Sequence, residues 1–411
     1  MHRHKFGSRA LAASKAVAEM RSPRVALVFE SNTAYSRQLL SGIGEYVRRE
    51  GPWTVSLAEL GPNDAPPVWL EHWRGDGIIL RGESRRVVES VRRLDVPSVD
   101  LTPSRLLSRA PWVKADDAAA ARLAARHFLD RGFVNFAFCG DDRFSWSMAR
   151  GEHFREAVGV ESRSCAQFRP SASVLDSNVL IEEIGSWLKT LPKPVAVLAC
   201  NDHRGQQVLE ACGRSNIAVP EQVAVVGVDN DELICALSPL PLSSVMLNPQ
   251  RTAREAATLL SRMMKGEALP AVPHFIAPVG VATRQSSDIL AVDDSKIAAA
   301  LRFIRENALR GIRVSDVLRH TPMARRTLEM RFRKSIGRTP SEEILRVRMD
   351  GARELLVGTT LSLSQVAERS GFEANYLSAV FKQHTGMTPR VYRERYGRYS
   401  QLDSPAHAAQ G

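Results

Sequence analysis

An α/β region of two doubly wound, parallel-sheet lobes, followed by an all-α region with two helix-turn-helix units, is the fold predicted for this 411-residue chain. Three observations predict it. Short apolar runs alternate with helical stretches in two successive sets. A short pattern near the end of the chain is written twice, 49 positions apart. The excess positive charge is confined to that duplicated part.

The first stretch, Met1 to Arg24, holds six Lys and Arg residues, and its only uncharged run is a few residues around Leu11. It lacks the apolar run of a secretory signal, so residues 1–23 are read as a disordered basic tail. Val25–Phe29 is then a buried-strand candidate, followed by a helix from about Ser36 to Glu50, with further strands at Trp53–Ala58 and Gly77–Leu80. The second set has strands at Asn135–Cys139, Val195–Ala199 and Val223–Val228. Its helices are expected around Ala118–Leu129, Trp146–Val158, Val179–Leu188 and Arg204–Ser215. Strands that are apolar on both faces belong to parallel sheets covered by helices. Residues 24–285 are therefore assigned to two lobes with a cleft between them.

Ligands of such folds bind beyond the carboxyl ends of the strands. The residues found there are polar: Glu30-Ser31-Asn32 with Tyr35-Ser36-Arg37, then Gly140-Asp141-Asp142, Asn201-Asp202 and Asp229-Asn230-Asp231. Carboxylates, amides and Arg around an aromatic face such as Trp146 suit a sugar, whose hydroxyls both donate and accept. Asp and Asn are also common turn formers and helix caps. It is the repetition of polar clusters at four strand ends that favours a ligand site.

Composition narrows the class. Apolar content of 44% and charged content of 25% are those of an ordinary soluble protein, and no apolar run approaches a membrane span. Five cysteines, odd in number and without a C-x-x-C pair, are read as reduced thiols in a cytoplasm, with no metal site. There is no Gly-x-Ser-x-Gly elbow, phosphate-cradling Gly loop or His cluster of metal spacing, so no catalytic residue and no cofactor is assigned. The paired acids Asp116-Asp117 and Asp141-Asp142 sit in candidate loops, where turn chemistry explains them. A transport binding protein would suit the front half, but it fits neither the missing export signal nor the basic tail region.

The duplication sets Ser315-Asp316-Val317 on Ser364-Gln365-Val366. Leu328 then falls on Leu377, Phe332 on Phe381, Gly337 on Gly386, and Thr339-Pro340 on Thr388-Pro389. Leu and Phe at i and i+4 share one helix face. Each copy reads as short helix, turn, second helix, Gly stop and Thr-Pro start. From Lys296 to Tyr399 there are 21 Lys/Arg against 10 Asp/Glu, while the rest of the chain balances at 35 against 35. Tandem helix-turn-helix units in the basic segment point to duplex DNA. The polar stretch Ser286-Ser287-Asp288 to Asp294-Ser295 is read as the linker (286–295), 296–399 as the DNA-binding domain, and 400–411 as a disordered tail.

Both halves also resemble known families. The runs from Arg131-Gly132 to Gly140, Leu198 to Asp202, and Val219-Pro220 to Asp229-Asn230 resemble LacI-type, sugar-responsive regulators with a periplasmic-binding-protein-like domain. The paired Leu-x-x-x-Phe helices, the Gly-x-Thr-Pro starts and Gly371-Phe372 resemble the AraC-type DNA-binding domain. LacI-type chains carry their helix-turn-helix at the front, and this one carries it at the end. That order, with Phe29, Asn32, Ala34-Tyr35, Arg37-Gln38 and the Trp146…Arg150 pairing, resembles the family of xylose-responsive operon regulators over roughly residues 24 to 397. The resemblance implies Tyr35, Ser36, Arg37, Asp117, Trp146, Arg150, Asn201, Asp202, Asp229 and Asn230 as effector-binding residues. Ser36 stands where that family carries an acidic residue, which leaves the identity of the sugar open; a non-sugar metabolite and a repressor role stay as alternatives.

If Leu328 and Phe332 face the core, Arg325, Arg326, Glu329 and Met330 look outward. Asn375, Tyr376, Ser378, Ala379 and Lys382 do so in the second unit. The AraC resemblance places such positions in the major groove, where Arg reads guanine and Asn reads adenine, although either Arg could equally hold phosphate. Pro322 replaces the usual turn Gly of the first unit and Ala324 its cap, which predicts a differently started recognition helix there. Thr339-Pro340-Ser341-Glu342 is a capping box opening a helix to about Val357, with Leu345, Met349, Ala352 and Leu356 as its buried stripe. At about 1.5 Å per residue that helix spans roughly 25 Å, enough to help set two recognition helices near the roughly 34 Å spacing of successive major grooves. The expected partners are operator DNA, a small-molecule sugar, a second copy of the chain in a homodimer and, for an activator, RNA polymerase; no membrane is expected.

Overall fold

The structure is a computed structural model that describes residues 22–61, 64–159, 165–170, 176–289 and 294–396. Apart from residues 22 and 23, the two expected tails lie outside the described residues. The chain divides into one unit of Met1–Asp116 with Asn248–Ile276, and a second of Asp117–Leu247 with Ala277–Gly411.

The first unit opens with β1 (Arg24–Glu30), α1 (Ala34–Arg49), β2 (Thr54–Leu60), α2 (Val68–Glu71), β3 (Gly77–Arg81), α3 (Arg85–Arg92), β4 (Ser98–Asp100) and β5 (Trp112–Ala115). The chain then enters the second unit with α4 (Asp117–Leu129), β6 (Asn135–Cys139), α5 (Ser145–Val158), β7 (Cys165–Phe168), α6 (Ser177–Thr190), β8 (Val195–Ala199), α7 (Asp202–Arg214), β9 (Val223–Val228), α8 (Glu232–Leu237) and β10 (Ser243–Met246). It returns to the first unit for α9 (Pro249–Met264) and β11 (Pro273–Ile276), and closes the second sheet with β12 (Gly280–Ala282).

Each unit has one six-stranded sheet, in the order β2-β1-β3-β4-β5-β11 in the first and β7-β6-β8-β9-β10-β12 in the second. All neighbours are parallel except β12, which is antiparallel to β10. The predicted doubly wound lobes are thus observed. The strands legible in the sequence are those of five or more residues, and the central ones among them, such as β1, β8 and β9, have interior residues buried on both faces. Strands β4, β5, β7, β10, β11 and β12 were not predicted; they are three or four residues long, several with polar residues, as in Ser243-Ser244. Helix α1 begins two residues earlier than expected because Thr33 caps it, accepting from the Ser36 amide. Tyr35, Ser36 and Arg37 therefore stand in its first turn.

The expected linker starts later than the sequence suggests. Ser286 and Ser287 are buried in the second lobe, where Ser286 Oγ donates to the Val225 carbonyl (2.7 Å) and Ser287 Oγ pairs with Ser243 Oγ (2.8 Å). Short hydroxyls there satisfy polar groups of β9 and β10, so their polarity reflects hydrogen bonding and not exposure.

The C-terminal region consists of α10 (Ser295–Asn307), α11 (Val314–His320), α12 (Arg325–Ile336), α13 (Pro340–Gly358), α14 (Leu363–Arg369), α15 (Ala374–Thr385) and α16 (Pro389–Tyr396). Helix α13 is the shared spine. Ile344 and Val347 join the core of the first helix-turn-helix unit with Leu328 and Phe332, while Met349, Ala352 and Leu356 join that of the second with Leu377 and Phe381. Its predicted capping box forms: the Glu342 amide donates to Thr339 Oγ1 (3.3 Å) and the Thr339 amide to Glu342 Oε2 (2.7 Å). Ala324 and Glu373 precede the two recognition helices with nearly the same extended backbone (φ −66°, ψ 139° and φ −70°, ψ 141°), and neither caps with its side chain. No difference between the two starts is seen at Ala324, since neither depends on a side-chain cap.

Candidate functional site

In each lobe the strand order reverses beside the first strand, which opens a crevice beyond the carboxyl ends of β1 and β3 in one and β6 and β8 in the other. In the first, Glu30 does not face outward. Its Oε1 accepts from the amides of Glu83 (2.7 Å) and Ser84 (3.3 Å), tying the two strand ends together. Ser36 is buried, and its Oγ accepts from Thr33 Oγ1 (2.9 Å) and Arg81 Nε (3.4 Å). Arg81 also donates to the Leu101 carbonyl (2.8 Å) and lies 5.4 Å from the centroid of the Tyr35 ring. Arg37 turns to its own loop, donating to the Ser31 carbonyl (3.1 Å). Tyr35 and Ser36 are brought together by Arg81, which sequence reading missed. The signal was present: Arg81 is the charged end of an otherwise apolar strand at the switch point.

In the second lobe Asp141 is the hub. It accepts from Arg143 Nε (2.8 Å) and Nη2 (2.6 Å) and from Arg204 Nη2 (3.0 Å). Bonded foremost to Arg143, its carboxyl is held below the usual range. These groups line a recess with Phe144, Trp146 and Asn201. Trp146 stacks on Phe144 (centroids 5.5 Å apart), and the Arg150 guanidinium lies 5.3 Å from the Trp146 ring centroid. Arg150 is itself buried, held by Asp117 Oδ1 (3.1 and 2.6 Å) and the Cys200 carbonyl.

The remaining predicted residues divide. Asn201 is the cap of α7, accepting from the Arg204 amide (2.9 Å). Asp202 is buried with both oxygens engaged, by the Asp231 amide (2.7 Å) and Ser244 Oγ (2.6 Å), and burial together with the Asp229 charge pushes its carboxyl well above the ordinary value. It fastens the ends of β8, β9 and β10, and the recess around Asp141 forms without it. Asp229 (φ 108°) and Asn230 (φ 53°) both occupy the left-handed region, a strained pair just past β9 of the kind that clusters at functional sites. Asn230 Oδ1 accepts from Arg284 (2.8 Å).

On the helical region, Arg326 and Met330 are exposed on α12, and Arg325 pairs along the helix with Glu329 (3.0 Å). Arg333 and Lys334 extend this basic face beyond the predicted set. Tyr376, Ser378, Ala379 and Lys382 are exposed on α15; the side chain of Asn375 lies outside the described residues. Among the described residues no helix is long and apolar enough to cross a membrane.

Comparison with known proteins agrees with this division. Family models match for a XylR N-terminal domain at residues 24–110, a periplasmic binding protein-like domain at 125–287 and a helix-turn-helix domain at 317–395. The xylose operon regulatory protein of Escherichia coli K12 is 30% identical over 381 residues, covering 90% of this chain and 97% of the relative. That of Haemophilus influenzae is 30% identical over 383 residues, with 90% and 98% covered. The solved structure of the xylose-binding transcription activator XylR superposes with a TM-score of 0.59 at 29% identity, over 92% of this chain and 99% of that one. The cellobiose complex of the regulator CelR (TM-score 0.53, 21% identity, 70% and 92% covered) shares the lobed fold. With near-complete coverage of these relatives and all three domains in the same order, the chain belongs to the family of xylose operon regulatory proteins.

Proposed function

We propose that the protein is a cytoplasmic homodimer that binds operator DNA through both helix-turn-helix units and activates transcription, by contact with RNA polymerase, when it binds xylose or a related pentose. The observation that carries this reading is the coexistence of two polar strand-end crevices with tandem recognition helices in one family-typical chain. Arg81, Ser36 and Tyr35 supply donors, an acceptor and an aromatic face in one lobe. Asp141, Arg143 and Arg204 supply a charged hydrogen-bonding set in the other, with Arg150 and Asp117 behind Trp146. Paired, preoriented charges of this kind recognise vicinal hydroxyls with little reorganisation. Homology to transcription regulators argues for a binding function and against catalysis.

On DNA, Arg326 and Tyr376 are the side chains assigned to base edges, and Arg333, Lys334 and Lys382 to phosphates. The test has two arms. Selection from a random duplex pool is expected to enrich one consensus, and calorimetry is expected to show binding of D-xylose or another aldopentose. Enrichment of no sequence would remove the DNA reading, and a pentose panel without heat would remove the sugar reading. Ser36, in place of the family's acidic residue, favours a second reading in which a pentose other than xylose is preferred; the same panel separates the two.

A further inference from the structure

Helix α4 has 13 residues, so its ends stand roughly 18 Å apart. At its first turn Asp117 holds Arg150 beside the Trp146 recess. At its far end Asp130 is keyed into the DNA-binding region. Asp130 Oδ1 accepts from Arg338 Nη1 (2.8 Å), its Oδ2 lies 3.3 Å from Arg346 Nη1, and its carbonyl accepts from Arg338 Nη2 (2.9 Å) and Arg305 Nη2 (3.3 Å). Arg338 occupies the short loop between α12 and α13, one residue beyond the Gly stop of the first recognition helix.

The cluster continues inward. Arg338 Nε (2.6 Å) and Arg346 (2.8 and 2.9 Å) hold the carboxylate of Glu343, a residue with no exposed surface. Burial pushes that carboxyl up, but the bonds from Arg346 and the charges of Arg346, Arg338 and Arg305 outweigh it and hold it at about 2. Beside Asp130, Arg131 Nε donates to the Ser287 carbonyl (3.0 Å), and His127 Nε2 shares a hydrogen bond with Ser287 Oγ (2.8 Å). The last turn of α4 and the two residues after it therefore grip both the chain leaving the lobe and the base of the first recognition helix.

We propose that α4 transmits sugar occupancy to DNA, with Asp130, Arg338 and Arg346 as the positioning residues that couple the Asp117–Arg150 end to the first helix-turn-helix unit. This rests on the sugar-regulated reading above. A buried, multiply bonded ionic cluster does not deform gradually, because separating its members leaves uncompensated charges out of water. Movement of α4 is therefore passed to Arg338 or resolved by a switch to another bonded arrangement, which is the two-state element that coupling between distant sites requires. Asp130 lies at the opposite end of α4 from the Asp117–Arg150 pair and on neither recognition helix, so its effect falls on the coupling itself.

The experiment uses the full chain and an operator duplex labelled for fluorescence anisotropy, with and without saturating D-xylose, alongside calorimetry of D-xylose binding. For wild type, a coupling of about 5- to 150-fold is the ordinary range for linked sites. Asp130→Asn and Arg338→Gln are expected to keep D-xylose affinity and sugar-free operator affinity within about threefold, while the sugar-induced change falls to under about twofold. Coupling retained at the wild-type value in both variants overturns the proposal alone. A wild type that binds operator without responding to D-xylose overturns the functional reading as well. Should either variant fail to fold, hydrogen exchange on wild type decides: D-xylose is expected to change protection in 117–131 and 338–350 together, and a change confined to 117–131 overturns the proposal.

Discussion

The two helix-turn-helix units have the same helices and the same buried Leu and Phe, yet they differ in what surrounds those cores. The first recognition helix, α12, carries Arg325, Arg326, Arg331, Arg333 and Lys334 against Glu329, whereas α15 carries Lys382 as its only Lys or Arg and presents Tyr376, Ser378 and Ala379. The base of the first is clamped through Arg338 to Asp130. The turn of the second depends on Gly371, whose φ of 75° follows Ser370 where the first unit has Thr321-Pro322. Duplication has thus preserved packing while changing surface charge and neighbours. One copy is electrostatic and wired to the lobe, the other nearly neutral and held by backbone geometry.

The cores should fail alike. Phe332 and Phe381 are both fully buried, so replacing either with Ala is expected to cost about 3–5 kcal/mol. Segment-resolved hydrogen exchange should show the loss confined to the mutated unit. If Phe332→Ala also exposes 363–396, the units are not independent cores around α13, and the comparison loses its basis.

Acid should distinguish them next. Glu343 has its folded-state carboxyl lowered to about 2 from an ordinary 4.5, so the stability it contributes is present above about pH 4.5 and is lost as pH falls towards 2. It sits on the first unit's side of α13, among Arg338, Arg346 and Arg305. Between pH 5 and 3, the first unit should lose up to a few kcal/mol of protection relative to the second, after correction for intrinsic exchange. Glu343→Gln should abolish that difference, and an equal loss in both units would refute the assignment.

The turn comes third. A Cβ on Gly371 would lie 2.7 Å from the Ala308 carbonyl and 3.0 Å from that of Leu309, in addition to requiring a positive φ. Gly371→Ala is therefore expected to cost about 2 kcal/mol, while Pro322→Gly at the equivalent place costs under about 1. Thermal melts of the two variants check this, and similar costs would mean that the turns are equivalent.

What the sequence made legible follows the same physics. Central strands and amphipathic helices were readable because burial on both faces, or on one stripe, leaves a long apolar record, as in Val223–Val228 or Leu345 to Leu356. The shortest strands were not, because three or four residues such as Gly280–Ala282 are too few to show a period. At the candidate site, the polar residues after strands included Tyr35, Ser36 and Asp141, although the Asp141-Asp142 pair reads as turn chemistry. They did not separate Asp202, which closes a buried network, from residues lining a crevice. Of the partners that orient the site, Arg81 was marked as the charged end of an apolar strand, whereas Arg143, Arg204 and Arg284 carry no local mark in a chain with 56 Lys and Arg. The grip of Asp130 on Arg338 spans 208 positions and has no sequence signature at all.

The smallest effect probes the division of labour on DNA. Removing one cation that neutralises a phosphate should reduce the slope of log affinity against log salt by about 0.9, whatever the sequence of the duplex. Arg333→Ala on α12 is expected to do this, with operator and non-operator duplexes weakened about equally. Tyr376→Ala on α15 should leave the slope unchanged and instead cost about 1 kcal/mol on operator alone, narrowing the ratio of specific to non-specific binding. Arg326 tests the boundary. If it reads a base, its Ala variant lowers that ratio by about 1–3 kcal/mol; if it holds phosphate, it behaves as Arg333 does. Anisotropy titrations at several salt concentrations separate these outcomes, and a slope change for Tyr376→Ala equal to that for Arg333→Ala would refute the assignment of Tyr376 to a base edge.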